Sequence, residues 1–185
     1  MIGTSLKGRL LVATPALGDG IFDRSVVLII EHDDTEGAFG VVLNRPSTTD
    51  VEGALPEWAR LAASPAVVFV GGPVSPEAAI CLARVSRAEA EGWIPVVGTV
   101  GALDLSQDPD LLAAAVDEVR LFAGYAGWTR GQLEDEIEAG AWLVVDATEG
   151  DALNDDPDSL WQRVLRRQRG HLAMFAAFPR DPTTN

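Results

Sequence analysis

"SVVLIIEHDDTEGAFGVVLN", Ser25 to Asn44, sets two apolar runs on either side of a polar pentapeptide, Asp33 to Gly37. Asp, Thr and Gly form turns readily, and apolar runs joined by so short a connection read as a β-hairpin. Neither run alternates. A strand with one wet face carries a polar residue at every second position, so these nearly continuous runs predict strands covered on both faces, deep in a sheet.

Outward from the hairpin, "GRLLVAT" (Gly8 to Thr14), "AVVFVGG" (Ala66 to Gly72), "VRLFAGYA" (Val119 to Ala126) and "AWLVVDAT" (Ala141 to Thr148) have strand composition with turn-forming neighbours. "WIPVVGTVGALDLS" (Trp93 to Ser106) predicts one more strand. "SPEAAICLARV" (Ser75 to Val85) supports two readings: Ser-Pro-Glu starts helices well, whereas the apolar run suits a strand. Helices are predicted at "DPDLLAAAVDEV" (Asp108 to Val119), "TRGQLEDEIEAG" (Thr129 to Gly140) and "DPDSLWQRVLRRQRG" (Asp156 to Gly170), from acidic or proline starts and glycine stops. "DVEGALPEWARLA" (Asp50 to Ala62) is a helix candidate interrupted by Pro56. With no βαβ period, no internal repeat and no linker, the 185 residues predict one α+β domain, large enough to bury a core without disulfides or structural metal.

Twenty-eight Asp and Glu face fourteen Lys and Arg, for a net charge of −14. Such a surface repels polyanions, which argues against direct DNA binding and against docking to anionic lipid. Cys81, the single cysteine, lies in an apolar run and reads as a buried thiol, in keeping with a reducing cytoplasm. No stretch resembles a secretory leader or a membrane span, so the expected location is cytoplasmic. The sequence lacks G-x-S-x-G, H-E-x-x-H, P-loop and G-x-G-x-x-G motifs, and two histidines with one cysteine do not fill a Cys/His zinc site. No metal, no cofactor and no standard catalytic template is expected.

Three separated motifs, "LLVATPALGDGIFDRSVVLIIEHDDTEGAFGVVLNRP", "VFVGGPV" and "GYAGWTRGQLEDEI" with "AWLV", resemble the bacterial YqgE/AlgH-like family from about Gly8 to Val145. The resemblance implies an α+β single domain whose mostly antiparallel, bifurcated sheet closes into a pseudo-barrel with flanking helices. It implies no established enzymatic activity, and the transcriptional-regulator label sometimes attached to such proteins comes with the resemblance alone. One departure is Ala83, where many members carry His.

"GYAGW" poses the functional question. Tyr125 and Trp128 flank small residues where a strand meets a helix; glycines permit close approach, a helix start offers unpaired amides, and aromatics offer a stacking wall. Either a ligand sits there, or the aromatics anchor the helix to the sheet. Thr129 and Gln132 have capping-box spacing, which predicts a helix beginning just after Thr129. Further candidate binding residues are Asn44 and Arg45 of "LNRP", the Gly71-Gly72 bend, and Glu31 and His32 at the end of the first hairpin strand. Arg163, Arg166, Arg167 and Arg169 form the one dense cationic group, either a solvated helix face or a patch for an acidic partner. Three classes stay open: a non-enzymatic regulatory or interaction protein with a protein or small-molecule partner, a binding module at the strand-helix junction, and an enzyme using an isolated Glu or His.

Overall fold

The hairpin forms as two strands, β2 (Val26–Asp33) and β3 (Gly37–Val42), paired antiparallel from Val27 opposite Val42 to Asp33 opposite Gly37. In this computed structural model, which describes residues 4–17, 20–86 and 90–177, β1 (Arg9–Ala13) pairs with β2 on its other edge. β4 (Pro46–Asp50), α1 (Val51–Ala54), β5 (Val67–Val70), β6 (Val74–Val85), β7 (Trp93–Val97), β8 (Val100–Leu103) and α2 (Pro109–Leu112) follow. The chain then makes β9 (Val116–Trp128), α3 (Gln132–Glu138), β10 (Trp142–Asp146), α4 (Glu149–Ala152) and α5 (Leu160–Arg166).

β9 is where the sheet forks. One of its edges carries β6 along most of its length; the other is shared between β5, parallel at Phe69 opposite Phe122, and β3, antiparallel at Gly40 opposite Ala126. The main order is β10-β1-β2-β3-β9-β6-β8-β7, with β4 and β5 as the side branch. The far ends approach each other: an added Cβ on Gly8, ahead of β1, would overlap the Val96 carbonyl of β7, and Thr99 donates its N–H to Glu149 Oε1 at 2.8 Å. The sheet is therefore curled into a half-barrel, the mixed α+β single-domain architecture that the resemblance implies.

Both faces of the hairpin are buried, as its continuous apolar runs require. Val26, Leu28 and Ile30 face inward with Leu10, Val12 and Phe122, where Leu160, Trp161, Val164 and Leu165 of α5 complete the packing. Val27 and Ile29 face outward and are covered with Leu11, Trp128, Leu133 and Trp142. A third cluster places Cys81, Ala83, Val119 and Leu121 against Val51 of α1, Trp58 and Leu112 of α2. Each fully buried aliphatic side chain contributes about 1.5–3 kcal/mol of transfer free energy, which outweighs the few tenths separating local propensities.

That balance explains where structure and expectation differ. "SPEAAICLARV" is strand, because Cys81 and Ala83 face one cluster and Leu82 another. The helix expected over 108–119 shrinks to α2, since Val116 and Val119 pair with β6 and bury in the third cluster. "WIPVVGTVGALDLS" holds two strands, β7 and β8, reversed at Gly98 with φ +55°. β4 was not anticipated; its sequence, "PSTTD", is mostly exposed.

Candidate functional site

Trp128 ends β9 and Gln132 begins α3, so the "GYAGW" junction is a strand handing over to a helix, as expected. Trp128 is 6% exposed and Trp142, on β10 beside it, 2%; their rings meet edge to face at 6.0 Å, with Phe22 completing the cluster. Both indole N–H groups converge on one oxygen. Trp128 Nε1 donates to Glu136 Oε2 at 2.9 Å and Trp142 Nε1 to the same atom at 2.8 Å, while Gln132 Nε2 donates to Glu136 Oε1 at 3.1 Å. The junction holds a carboxylate, and that carboxylate is the chain's own.

The capping box expected at Thr129 forms only in half. Gln132 Oε1 accepts the Thr129 N–H at 3.0 Å, but the Thr129 hydroxyl donates to that same oxygen at 3.3 Å instead of accepting an amide from the helix. Gly131, at φ +79°, occupies the N-cap position. A full box occurs at Thr148 and Asp151, ahead of α4, with the Thr148 N–H on Asp151 Oδ2 at 2.8 Å.

His32 and Glu31 line a cleft of about 420 Å³ with Lys7, Phe39 and Trp128. The His32 side chain is 4% exposed. Its Nδ1 accepts the backbone N–H of Leu6 at 2.9 Å, so the ring proton is on Nε2, which donates to Glu134 Oε1 at 2.6 Å. That bond from His32 holds the Glu134 carboxyl below its ordinary pKa, against a smaller opposing effect of burial. The ligand-capable atoms of His32, Asp34 and Glu134 lie within 4.8 Å of one another. A metal at Nε2 would have to displace that proton while Nδ1 remained a hydrogen-bond acceptor, leaving an imidazolate, so His32 as bonded here presents no lone pair to an ion.

Asn44 and Arg45 lie elsewhere, in a second cleft of about 230 Å³ shared with Arg24 and with Asp158, Trp161 and Gln162 at the start of α5. Asn44 bridges a turn: Oδ1 accepts the Val26 N–H at 3.0 Å and Nδ2 donates to the Arg24 carbonyl at 2.9 Å. Arg45 donates to the Asp23 carbonyl. Gly71 and Gly72 face neither cleft. The Gly71 N–H donates to the Ala123 carbonyl at 2.9 Å, and a Cβ on Gly72 (φ +156°) would overlap the Tyr125 backbone, so these glycines allow the bend to cross β9. Tyr125 is half-buried, edge-on to Phe39 at 5.5 Å.

The arginines of the last helix divide. All four are exposed, but Arg167 grips Asp151 with two bonds of 2.6 Å and Arg163 donates to Ser159 Oγ at 2.8 Å. Cys81 is buried and its thiol pKa is driven far up by that burial. Sequence reasoning passed over Arg120, 2% exposed, whose guanidinium donates to the carbonyls of Asn154 at 2.5 Å and Ser64 at 2.7 Å and lies over Phe69 at 4.3 Å. Burial lowers its pKa to about 10, with Glu118 and Asp155 opposing the shift. A charge amid "VDEVRLFAG" was the available signal.

A forked, curled sheet with helices on its outer faces and inside the curl defines a mixed α+β half-barrel, with its polar clefts at strand ends. The chain belongs to the AlgH-like family, whose model matches residues 10–173. Among its relatives are UPF0301 proteins of Streptomyces coelicolor, 54% identical over 98% of this chain and 96% of the relative, and of Mycobacterium bovis, 50% identical over 96% and 90%. The crystal structure of a Corynebacterium diphtheriae protein is similar with a TM-score of 0.88 and 31% identity, covering 96% of this chain and 95% of that one. The solution structure of the AlgH protein of Pseudomonas aeruginosa is similar with a TM-score of 0.70 and 27% identity, covering 95% of each chain. No helix among the described residues is long and apolar enough to cross a membrane.

Proposed function

We propose that this protein acts by binding, as a regulatory or interaction protein, and performs no catalysis at the strand-helix junction. One observation carries this reading: the histidine and the carboxylate at the centre of the junction, His32 and Glu136, are held by bonds within the chain. His32 has Nδ1 occupied by a backbone amide and Nε2 by Glu134, and Glu136 accepts two indole N–H groups and a glutamine amide. A general base needs a lone pair directed at substrate, and His32 offers none. The test is a hydrolase and transferase substrate panel run on wild type and on His32→Gln. Expected is product formation no greater than in protein-free controls; turnover abolished in a folded His32→Gln would overturn the reading.

A further inference from the structure

We propose that the sheet surface at Phe39, Tyr125 and Gly127, with the acidic cleft beside it, docks a segment of a partner protein that carries lysine or arginine next to an apolar side chain. The inference rests on the binding reading above and adds to it a surface and a partner class. Gly127 stands opposite Phe39 in the β3–β9 pairing and is exposed. An added Cβ would meet the Tyr125 ring at 3.6 Å and Val74 Cγ2 at 3.8 Å, ordinary contact distances, and the residue has no positive φ. Neither crowding nor a left-handed backbone therefore requires glycine there. What the missing side chain does is leave a trough, with Phe39 on one side and Tyr125 and Val74 on the other.

The walls of that trough are apolar and accessible. Phe39 and Tyr125 are both half-buried with their rings edge to face at 5.5 Å, and Val74, opposite Tyr125 on β6, is 37% exposed. Single exposed apolar residues are ordinary, whereas apolar side chains left together beside a polar rim mark interaction surfaces, and aromatic residues are enriched at their centres. Phe39 also lines the cleft of about 420 Å³, so trough and cleft form one continuous surface.

Charge selects the occupant. Glu31, Asp33 and Glu36 line the cleft against a single cation, Lys7. Asp33 is engaged by its own turn, where Oδ1 accepts the N–H groups of Thr35 at 2.6 Å and Glu36 at 3.3 Å. The carboxylates of Glu31 and Glu36 are exposed and make no hydrogen bond or ion pair with any described residue. A lysine or arginine of the partner lays its aliphatic stem along Phe39 and brings its charged end to these glutamates, while the neighbouring apolar side chain covers Gly127. The net charge of −14 draws a basic segment toward this rim and repels an acidic one, nucleic acid and a second copy of the chain included.

The test titrates the full ¹⁵N-labelled chain with three short capped peptides, one alternating lysine with leucine, one lysine with serine, and one glutamate with leucine. Expected is saturable binding of the lysine–leucine peptide, with amide shifts centred on residues 31–39, 74 and 125–127, and at least tenfold weaker binding of the other two. Gly127→Leu fills the trough, and Glu31→Lys combined with Glu36→Lys reverses the rim at two exposed positions. Each should weaken binding at least tenfold in protein that keeps its amide spectrum. Equal binding of the lysine–serine peptide, binding unchanged by both variants, or no saturable binding by wild type at millimolar concentrations would overturn the inference. Sedimentation showing a wild-type dimer that Gly127→Leu dissolves would give the face to a second copy and overturn it equally. None of these outcomes involves turnover, so failure of this surface is distinguishable from failure of the binding reading, which only catalysis contradicts.

Discussion

Trp128 and Trp142 come from different strands, yet their indole N–H groups end 2.9 and 2.8 Å from the same oxygen of Glu136. Both indoles are almost wholly buried, so removing the carboxylate takes the acceptor from two donors at once. Glu136→Ala should cost about 2–4 kcal/mol, at about 1–3 kcal/mol for each orphaned donor with partial relaxation. Glu136→Gln, which keeps an acceptor oxygen, should cost about half as much. Urea denaturation of the two variants checks the order; equal stability of Glu136→Ala and wild type would show that the indoles are satisfied otherwise.

At Thr129 the hydroxyl makes one exposed bond of 3.3 Å and caps nothing. Thr129→Ala should therefore change stability by less than about 0.5 kcal/mol, below the ~1 kcal/mol of a true N-cap. Gln132→Ala should cost more, about 1 kcal/mol, because it removes bonds to both Thr129 and Glu136. A Thr129→Ala loss exceeding that of Gln132→Ala would restore the capping role.

These two residues show what was legible in the sequence and what was not. The T-x-x-Q spacing correctly placed a helix start, but the Gly131 N-cap shifted it, a choice set by backbone conformation rather than composition. The β2–β3 hairpin was legible because burial on both faces leaves its mark on every residue of each strand. The alanine-rich segment ahead of β9 misled because helix propensity is worth tenths of a kcal/mol per residue, while β6 pairing and burial of Val116 and Val119 are worth several. Asn44 and Arg45 were legible as side chains that hold backbone groups, as they do within this chain; the meeting of Arg24 with Trp161 was not, since 137 positions separate them and only the curl of the sheet joins them. Glu136 read as an acid suited to a helix start, and nothing local announced the two indoles it receives.

Asp151 is 3% exposed and grips Arg167 with two bonds. Burial pushes its pKa up, but the Arg167 bonds and the Thr148 amide outweigh it, so the net shift is downward. A carboxyl with a depressed folded-state pKa adds stability that is full above its unfolded value, near ~3.9, and lost as pH falls through the folded value. Asp151→Asn should cost about 2–3 kcal/mol at pH 7, since bonds to charged groups are worth about 1.5–3 kcal/mol, and the gap to wild type should narrow toward pH 2. Thermal unfolding of both proteins across pH checks this; a gap independent of pH would remove the ionic contribution.

All four arginines of the last helix and its end are exposed, but Arg163 and Arg167 are tied to their own chain, which leaves Arg166 and Arg169 to meet a polyanion. Two phosphate contacts imply a logarithmic salt slope near about −2 and negligible affinity at physiological salt. Fluorescence anisotropy with duplex DNA should show no saturation below micromolar protein. Nanomolar, sequence-selective binding unchanged by Arg166→Gln with Arg169→Gln would contradict the charge argument.

The state of His32 bears most directly on whether this protein works by binding rather than catalysis. Long-range ¹H–¹⁵N NMR of the imidazole reads which nitrogen carries the proton. The structure predicts the tautomer protonated at Nε2, with Nδ1 accepting from Leu6. A ring protonated at Nδ1, with Nε2 presented unprotonated to the 420 Å³ cleft, would give the site a free base and contradict the account.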